Sequence, residues 1–295
     1  MRMERIGKLT KAVIPAAGFG TRMLPAAKAI PKEMLPILDL PTIQYVVQEA
    51  ADAGIRDVLL VTSRDKKAIE DHFDRSPELE ARLAASGKES LLASLVALAA
   101  KVKVHSVRQP EQRGLGDAVA QARSHVGDEP FACMLGDTVF SGSQLPLTQM
   151  TAAFDRYHTS IIALEEVPAE KVSRYGIVGG KLLDDGTFRI DTLIEKPRPE
   201  EAPSHYAICA RYILTPDIFA CLDNVRPGKG GEIQLTDALK LLCERKPMYG
   251  VVVLARRHDI GNPVDWLKTN LTFARRNPEM WRQIRPLVEQ LLQGL

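Results

Sequence analysis

Short apolar runs typical of strands alternate with longer runs of helical spacing through most of this 295-residue chain. In the first half the strand-like runs lie at 12–16, 57–62, 102–108 and 131–135. Helices are predicted at 42–53, which stops at Gly54, and at 117–126. Such alternation is typical of layered folds in which helices cover a largely parallel sheet. The pattern therefore predicts an α/β fold, with a Rossmann-like, mixed but mostly parallel central sheet flanked by helices.

The alternation of predicted strands and helices changes at two places along the chain. Residues 76–100 read as two helices outside the sheet. From residue 159 onward, strands follow one another with few helices between them, at 160–167, 176–180, 188–195 and 206–214. The run Asp184-Asp185-Gly186 predicts a hairpin turn, so this half is expected to be antiparallel or mixed. Later elements are predicted as helices at 217–224 and 233–244, a strand at 249–254, and helices at 264–276 and 279–292.

Composition excludes several classes of partner. The chain has 39 Lys and Arg against 37 Asp and Glu, and no basic stripe, which argues against nucleic acid. The longest apolar run, at 91–100, is about half of the roughly 20 residues that cross a bilayer. Widely spaced cysteines and the lack of a secretory leader before Lys11 predict reduced thiols in the cytoplasm; they are Cys133, Cys209, Cys221 and Cys243.

A glycine loop directly follows the first strand and is the strongest local signal. Gly18 and Gly20 allow a ligand to approach the backbone, and Arg22 and Lys32 follow with the charges that grip a triphosphate. The dinucleotide fingerprint would need glycine where Met23 stands, which disfavours an NAD-dependent oxidoreductase. No Gly-Lys-Ser or Gly-Lys-Thr is present, so a Walker A loop is excluded. A tight turn without a ligand stays an alternative for this loop alone.

The run 11–36 resembles the nucleotidyltransferases that make nucleotide sugars, and in wording it is similar to the bacterial UTP:glucose-1-phosphate uridylyltransferases. Later motifs match that family in order: Arg108-Gln109 with Gly114-Leu115-Gly116, Leu135-Gly136-Asp137, Tyr175-Gly176, Glu195-Lys196-Pro197, Gly231 to Asp237, and His258 to Asn262. Several of these motifs are weak evidence for the family when taken alone, but together they are specific to it. The resemblance covers about residues 8–275.

The resemblance implies magnesium bound by Asp137 and Asp259. Asp137 follows a predicted central strand, where ligands of open α/β sheets collect, although an Asp after Gly is by itself more often a turn residue. Two carboxylates with substrate oxygens and water suit Mg²⁺. Thr138 and Ile260 depart from the residues found at these positions in some relatives. His258 is predicted to be a hydrogen-bonded or exposed bystander.

The resemblance also implies the substrate contacts. Gln109 is expected to read the uracil edge, because an amide can donate and accept at once, as pyrimidine O4 and N3–H require. The nucleotide would also meet backbone at Ala17, Gly18, Gly20 and Gly114. On the sugar side, the resemblance assigns the sugar-phosphate oxygens to Lys196, the sugar hydroxyls to Glu195 and Glu232, and a close backbone approach to Gly176.

The implied reaction joins UTP to glucose 1-phosphate by in-line attack on the α-phosphorus, with Arg22, Lys32, Asp137 and Lys196 as catalytic residues. One domain is expected over 1–295, with a nucleotide-binding half at 8–158, a sugar-phosphate-binding half at 159–262 and C-terminal helices at 263–295. A homodimer or homotetramer is also expected. Two alternatives stay open: the same chemistry with dTTP or another hexose phosphate, and a non-catalytic nucleotide-sugar-binding protein of the same fold.

Overall fold

The computed structural model describes residues 7–293, and its centre is a nine-stranded mixed sheet. The strand order is β5-β4-β1-β6-β11-β8-β12-β10-β9. These strands are β1 Lys11–Pro15, β4 Asp57–Thr62, β5 Lys103–Arg108, β6 Phe131–Met134, β8 Ile161–Glu166, β9 Gly176–Leu182, β10 Thr187–Glu195, β11 Tyr206–Leu214 and β12 Met248–Val252. Two small ribbons lie outside the sheet, β2 Pro36–Ile37 with β3 Leu40–Pro41, and β7 Thr138–Ser141 with β13 Arg256–Asp259.

The first half of the sheet is parallel, as predicted. Strand β1 pairs with β4 and β6, and β4 pairs with β5, all in parallel register. Side chains of β1 alternate between two cores, with Ala12 and Ile14 in one and Val13 in the other. Strands that are buried on both faces in this way read as continuous apolar runs. This is why the sequence pattern located β1, β4 and β6, while the edge strand β5 is mostly exposed.

The second half of the sheet is mixed, also as predicted. Strand β12 runs parallel to β8, whereas β11 is antiparallel to both β6 and β8. The turn at Asp184-Asp185-Gly186 joins β9 and β10 as a hairpin. Hairpins and returning strands produce antiparallel pairs, so parallel pairing is confined to β5-β4-β1-β6 and to the β8–β12 pair.

Helices cover both faces of the sheet. They are α1 Thr42–Asp52, α2 Lys67–Phe73, α3 Pro77–Ala85, α4 Glu89–Lys101, α5 Leu115–Ala120, α6 Arg123–Val126, α7 Pro146–Tyr157, α8 Asp217–Leu222, α9 Leu235–Cys243, α10 Pro263–Arg276 and α11 Pro278–Gln293. The predicted helical pair at 76–100 is α3 and α4. The predicted helix at 117–126 is instead split into α5 and α6, which both contribute buried apolar residues to the same core. Across residues 7–293, no helix is both long and apolar enough to span a bilayer.

The strand order creates a crevice beside β1. The chain runs from β1 outward to β4 and β5, and then crosses back to place β6 on the other side of β1. At such a reversal the connections leave the sheet in opposite directions, and ligands collect beyond the carboxyl ends of the strands. The glycine loop after β1, Gln109 after β5 and Asp137 after β6 all lie at this edge.

Candidate active site

The loop after β1 is held at its base and open at its tip. Ala16 donates its N–H to Val61 of β4 at 2.8 Å, and Ala17 is buried. Gly18 is exposed, and a side chain there would meet no atom within 4 Å. Gly20 has a left-handed φ of +66°, and a Cβ there would lie 3.4 Å from the stem of Lys32. The loop therefore presents backbone to solvent while Gly20 allows Lys32 to pack beneath it.

Lys32 and Asp137 form an ion pair at the end of the central strands. The ammonium of Lys32 lies 2.5 Å from Oδ2 of Asp137, and the two side chains are 15% and 21% exposed. Burial opposes ionisation of both groups, but their mutual attraction outweighs it, so the pKa of Lys32 is raised and the pKa of Asp137 is lowered. Both groups are therefore charged at neutral pH.

The β7–β13 ribbon brings the second predicted metal ligand to the first. Asp259 ends β13 opposite Thr138, and Ile260 donates its N–H to the carbonyl of Asp137 at 2.9 Å. Burial raises the pKa of Asp259, and the negative charge of Asp137 raises it further. Oδ1 of Asp259 accepts from the N–H of Gly261 at 2.8 Å. Two carboxylates from distant parts of the chain thus share one small region.

Arg22, which follows the glycine loop, lies beside the Asp137 and Asp259 carboxylates. A Cβ at Gly261 would lie 2.7 Å from the Arg22 guanidinium and 2.8 Å from Oδ1 of Asp259. The positive charge of Arg22 also lowers the pKa of both Asp137 and Asp259. A side chain at position 261 would therefore require the Arg22 guanidinium and the Asp259 carboxylate to shift.

A second ion pair lies beside Lys32. Lys66 donates to Glu33 at 2.8 Å, and both side chains are buried, at 6% and 2% exposure. Burial raises the pKa of Glu33, while the charge of Lys66 opposes that rise. The pair connects the short helix Lys32–Met34 to the segment after β4. It stabilises the backbone that carries Lys32.

His258 is a structural residue, in agreement with the prediction. Its Nε2 shares a hydrogen bond of 2.8 Å with Oγ of Ser141, and its ring meets Phe273 edge to face. Burial lowers the pKa of His258 to about 4, with help from Arg256. The imidazole is therefore neutral at pH 7 and packs between β13 and α10.

Gln109 lies at the carboxyl end of β5 and is 4% exposed. Its N–H donates to Thr62 at 2.8 Å, which fixes the backbone. Its side-chain Nε2 donates to the carbonyl of Gly114 at 3.2 Å and to Oδ2 of Asp117 at 2.7 Å. The amide nitrogen is thus engaged within the protein, and the carbonyl oxygen is the group left for a ligand.

The predicted sugar-side residues lie together where the start of β9 pairs with the end of β10. Oε2 of Glu195 accepts from Thr236 at 2.7 Å, and its Oε1 lies 3.0 Å from the ammonium of Lys196. A Cβ at Gly176 would lie 3.1 Å from Oε2 of Glu195 and 3.2 Å from Oγ1 of Thr236. Gly176 therefore leaves room for the Glu195 carboxylate, and Thr236, which had no predicted role, orients it.

Backbone hydrogen bonds join the predicted nucleotide side to the predicted sugar side. Ile233 donates its N–H to Arg113 at 2.7 Å, and its carbonyl accepts from Gly116 at 2.8 Å. A Cβ at Gly114 would lie 2.7 Å from the carbonyl oxygen of Ile233. Glu232 stands at this crossing, exposed, and accepts from Gln234 at 2.6 Å. The segments around Gly114 and Glu232 are held together as one unit.

Arg257 is a further residue of this region that no sequence motif had identified. Its guanidinium pairs with Glu165 and lies 4.3 Å from the ring centroid of Tyr175. Burial opposes its charge, but Glu165 raises the pKa of Arg257 nonetheless. Arg257 is two residues before Asp259 on β13, and Tyr175 immediately precedes Gly176. The contact therefore ties the carboxylate cluster to the sugar side.

The structure places the predicted residues in two groups, and a hydrogen-bonded backbone segment lies between them. Arg22, Lys32, Asp137 and Asp259 form one group, and Gly176, Glu195 and Lys196 form the other. Within the described chain, no three His, Cys, Asp or Glu side chains are grouped as a complete metal site. The two carboxylates offer only oxygen ligands, which suits a hard divalent cation whose other ligands come from substrate and water.

The chain is similar to known proteins over almost its whole length. The nucleotidyl transferase family profile matches residues 11–276. The UTP–glucose-1-phosphate uridylyltransferase of Bacillus subtilis is 45% identical over 97% of this chain and 98% of its own length. A putative UTP–glucose-1-phosphate uridylyltransferase of Methanocaldococcus jannaschii is 44% identical over 96% of this chain and all of its own length.

Solved structures show the same fold. A UDP-glucose pyrophosphorylase complexed with UDP-glucose superposes with a TM-score of 0.84 at 41% identity, covering 91% of this chain and 99% of that one. A UTP-bound UGPase from Acinetobacter baumannii gives a TM-score of 0.89 at 38% identity, covering 96% and 99%. The resemblance inferred from the motifs is confirmed: the chain belongs to the nucleotidyl transferase family, among relatives named as UTP–glucose-1-phosphate uridylyltransferases.

Proposed function

We propose that this protein converts UTP and glucose 1-phosphate into UDP-glucose and pyrophosphate. The observation that carries the proposal is the meeting of Arg22, Lys32, Asp137 and Asp259 beside the open glycine loop. Two cations and two carboxylates from separate segments serve a reaction between highly charged phosphates. The full-length relatives that carry this activity in their names supply the substrate pair.

The nucleotide would lie over the parallel half of the sheet. Its phosphates would meet the backbone at Ala17, Gly18 and Gly20, and its base would reach Gln109 and Gly114. Exposed backbone at Gly18 and the free carbonyl oxygen of Gln109 support this arrangement. Lys32 uses one of three donors on Asp137, which leaves two for phosphate oxygens.

The sugar phosphate would lie between β9 and the Glu232 segment. Glu195 and Glu232 would accept hydrogen bonds from sugar hydroxyls, beside the backbone of Gly176. Lys196 is 56% exposed and pairs with Glu195, so it is free to turn to an incoming phosphate. A phosphate offers it a stronger charge than one shared carboxylate.

Asp137 and Asp259 would hold a divalent cation, and we propose Mg²⁺. The donor set fits, because it consists of carboxylate oxygens at the sheet edge where the phosphates would lie. When bound, the ion would neutralise charge on the α-phosphoryl group. Lys32 already occupies Oδ2 of Asp137 and Gly261 binds Oδ1 of Asp259, so both carboxylates are oriented in advance.

The reaction needs no protein nucleophile or general base. An oxygen of glucose 1-phosphate is anionic at neutral pH; it forms the new bond to the α-phosphorus of UTP while the bond from that phosphorus to the bridging oxygen breaks. Pyrophosphate leaves with the electron pair. Lys196 would orient the attacking phosphate, and Arg22 and Lys32 would stabilise the departing charge. Positioning and charge neutralisation thus account for the role of each residue.

The test is pyrophosphate release in the presence of Mg²⁺. UTP, dTTP, ATP, CTP and GTP are each combined with the 1-phosphates of glucose, galactose, mannose and N-acetylglucosamine. Release confined to UTP with glucose 1-phosphate supports the proposal, and EDTA should abolish it. Release with another pair would retain the mechanism and change the substrate. No release from a folded protein that binds UDP-glucose would indicate a non-catalytic binder and refute the proposal.

A cytoplasmic homodimer or homotetramer is part of the proposal. The four cysteines are free thiols, which suits a reducing compartment. Helices α10 and α11 expose Val264, Leu267, Leu271, Leu287 and Leu291, which suits contact with a second copy. Sedimentation equilibrium would give the oligomeric state directly.

A further inference from the structure

The orientation of the Gln109 amide is fixed by what surrounds it. Its nitrogen lies 3.2 Å from the carbonyl oxygen of Gly114 and 2.7 Å from Oδ2 of Asp117. A carbonyl and a carboxylate can only accept hydrogen bonds. The NH₂ group must therefore point towards them. Rotating the amide by 180° would set three oxygens against one another, so a single orientation is stable.

Asp117 is itself held rigidly. It lies in the first turn of α5, its side chain is 6% exposed, and its Oδ1 accepts from Arg113 at 3.1 Å. The start of α5 is anchored by the hydrogen bond from Gly116 to Ile233. Asp117 thus receives one donor on each oxygen, from Arg113 and from Gln109. If Asp117 turned away, the Gln109 NH₂ group would keep only its hydrogen bond to Gly114.

The carbonyl oxygen of Gln109 is what remains accessible. It makes no hydrogen bond within the described chain, where every fully buried side-chain nitrogen or oxygen has a partner. The oxygen therefore retains some exposure, although Gln109 as a whole is buried. A ligand that approaches this residue meets an acceptor.

We propose that Asp117 is a positioning residue that sets the base specificity of this site. By holding the NH₂ group of Gln109, it presents the amide oxygen to the base. Uracil carries an N3–H donor that this oxygen can accept, whereas N3 of cytosine is an acceptor and would be repelled. This inference rests on the proposed function, because it requires the base to lie at Gln109. It extends that proposal by assigning the choice of base to a residue that does not touch it.

The test compares equilibrium binding of UTP and CTP to the whole protein without sugar phosphate. In Asp117→Asn, the new amide oxygen can accept from Arg113, so its NH₂ group faces Gln109 and favours the rotated amide. We expect the preference for UTP over CTP to fall on the order of tenfold to one hundredfold. Asp117→Ala frees the Gln109 amide and should reduce the preference by less. Neither substitution should change the melting temperature enough to unfold the protein at the assay temperature.

Glu111→Gln is the matched control. Glu111 is exposed and lies 3.8 Å from Arg113, so this substitution also removes a carboxylate beside Arg113. It leaves the Asp117–Gln109 hydrogen bond in place. The ratio of UTP to CTP affinity should stay at the wild-type value. An equal change in this control would assign the effect to general charge near Arg113 and overturn the role of Asp117.

A chemical probe tests the same contact without relying on a variant. N3-methyl-UTP lacks the N3–H donor, so it should bind the wild-type protein at least tenfold more weakly than UTP. The difference should shrink in Asp117→Asn. Equal losses of UTP and CTP affinity in Asp117→Asn would show a merely structural residue and overturn the inference.

Gln109→Ala distinguishes a failure of the proposed base contact from a failure of the role assigned to Asp117. If it leaves UTP affinity unchanged and N3-methyl-UTP binds the wild type as well as UTP does, the base does not lie at Gln109, and that part of the proposed function fails. If Gln109→Ala weakens UTP binding but Asp117→Asn keeps the wild-type preference, only the role of Asp117 fails.

Discussion

The guanidinium of Arg211 on β11 lies 2.8 Å from the carboxylate of Glu49 on α1, and their side chains are 0% and 3% exposed. The same guanidinium donates to the carbonyl oxygens of Leu135 and Thr138. These two residues flank Asp137 in the chain. The buried ion pair therefore holds the backbone on both sides of the carboxylate that the proposed chemistry requires.

Glu49→Gln should lower the free energy of unfolding by about 3 kcal/mol or more, because it leaves the buried charge of Arg211 without a counter-charge. Urea unfolding measures the change. Glu289→Gln is the matched control, since it removes one partner of an exposed ion pair with Arg285 at 2.6 Å. The control should lose less than about 0.5 kcal/mol. Equal losses in the two variants would mean that the buried pair contributes no special stability.

Asp137→Asn should lower turnover roughly 100-fold or more with the fold intact, since a neutral amide cannot supply the charge that Lys32 and a bound cation require. Steady-state pyrophosphate release gives the rate, and circular dichroism checks the fold. Asp128→Asn, at an exposed position, is the control and should retain the wild-type rate. A near-normal rate for Asp137→Asn in Mg²⁺ would remove Asp137 from the mechanism.

The sequence predicted β1, β4 and β6 of the parallel half well because these strands are buried on both faces and therefore largely apolar, whereas the edge strand β5 is mostly exposed. The β7–β13 ribbon could not be predicted from apolar periodicity. Its strand β13 reads Arg-Arg-His-Asp, which has no apolar period, and β7 is only four residues long. The ribbon forms because it is paired and covered by the rest of the molecule. Only the family motifs placed Asp137 and Asp259 in one site.

Supporting residues were harder to predict than the residues they support. Gln109 and Glu195 belong to recognisable motifs, but the residues that orient them, Asp117 and Thr236, were given no role. Their function arises from hydrogen bonds formed only after β5, α5, β10 and the start of α9 pack together. Residue spacing along the chain carries no signal for such contacts, because it records local periodicity alone.

Gly176→Ala should raise the KM for glucose 1-phosphate roughly tenfold while leaving the KM for UTP unchanged. The added Cβ would lie 3.0 Å from Ile208 and 3.1 Å from Oε2 of Glu195, so the Glu195 carboxylate must move. Gly7→Ala is the control, because its Cβ would make only an ordinary contact at 3.8 Å with Pro130. If both KM values rise together in Gly176→Ala, the two substrate regions are not separable as proposed.

Alkaline stability should depend on Cys133, a buried residue of β6. Burial raises the pKa of its thiol to about 12, against about 8.5 in an unfolded chain. Below both pKa values the thiol is protonated in the folded and the unfolded state, so it does not change the free energy of unfolding with pH. Between about pH 9 and pH 11 only the unfolded chain loses the proton, so the free energy of unfolding falls by about 1.4 kcal/mol per pH unit from this group.

Urea unfolding across that range should show a correspondingly shallower decline in Cys133→Ala. Cys243→Ala, whose thiol is only partly buried, should flatten the decline less. A Cys133→Ala slope equal to that of the wild type would show that this thiol ionises equally in both states.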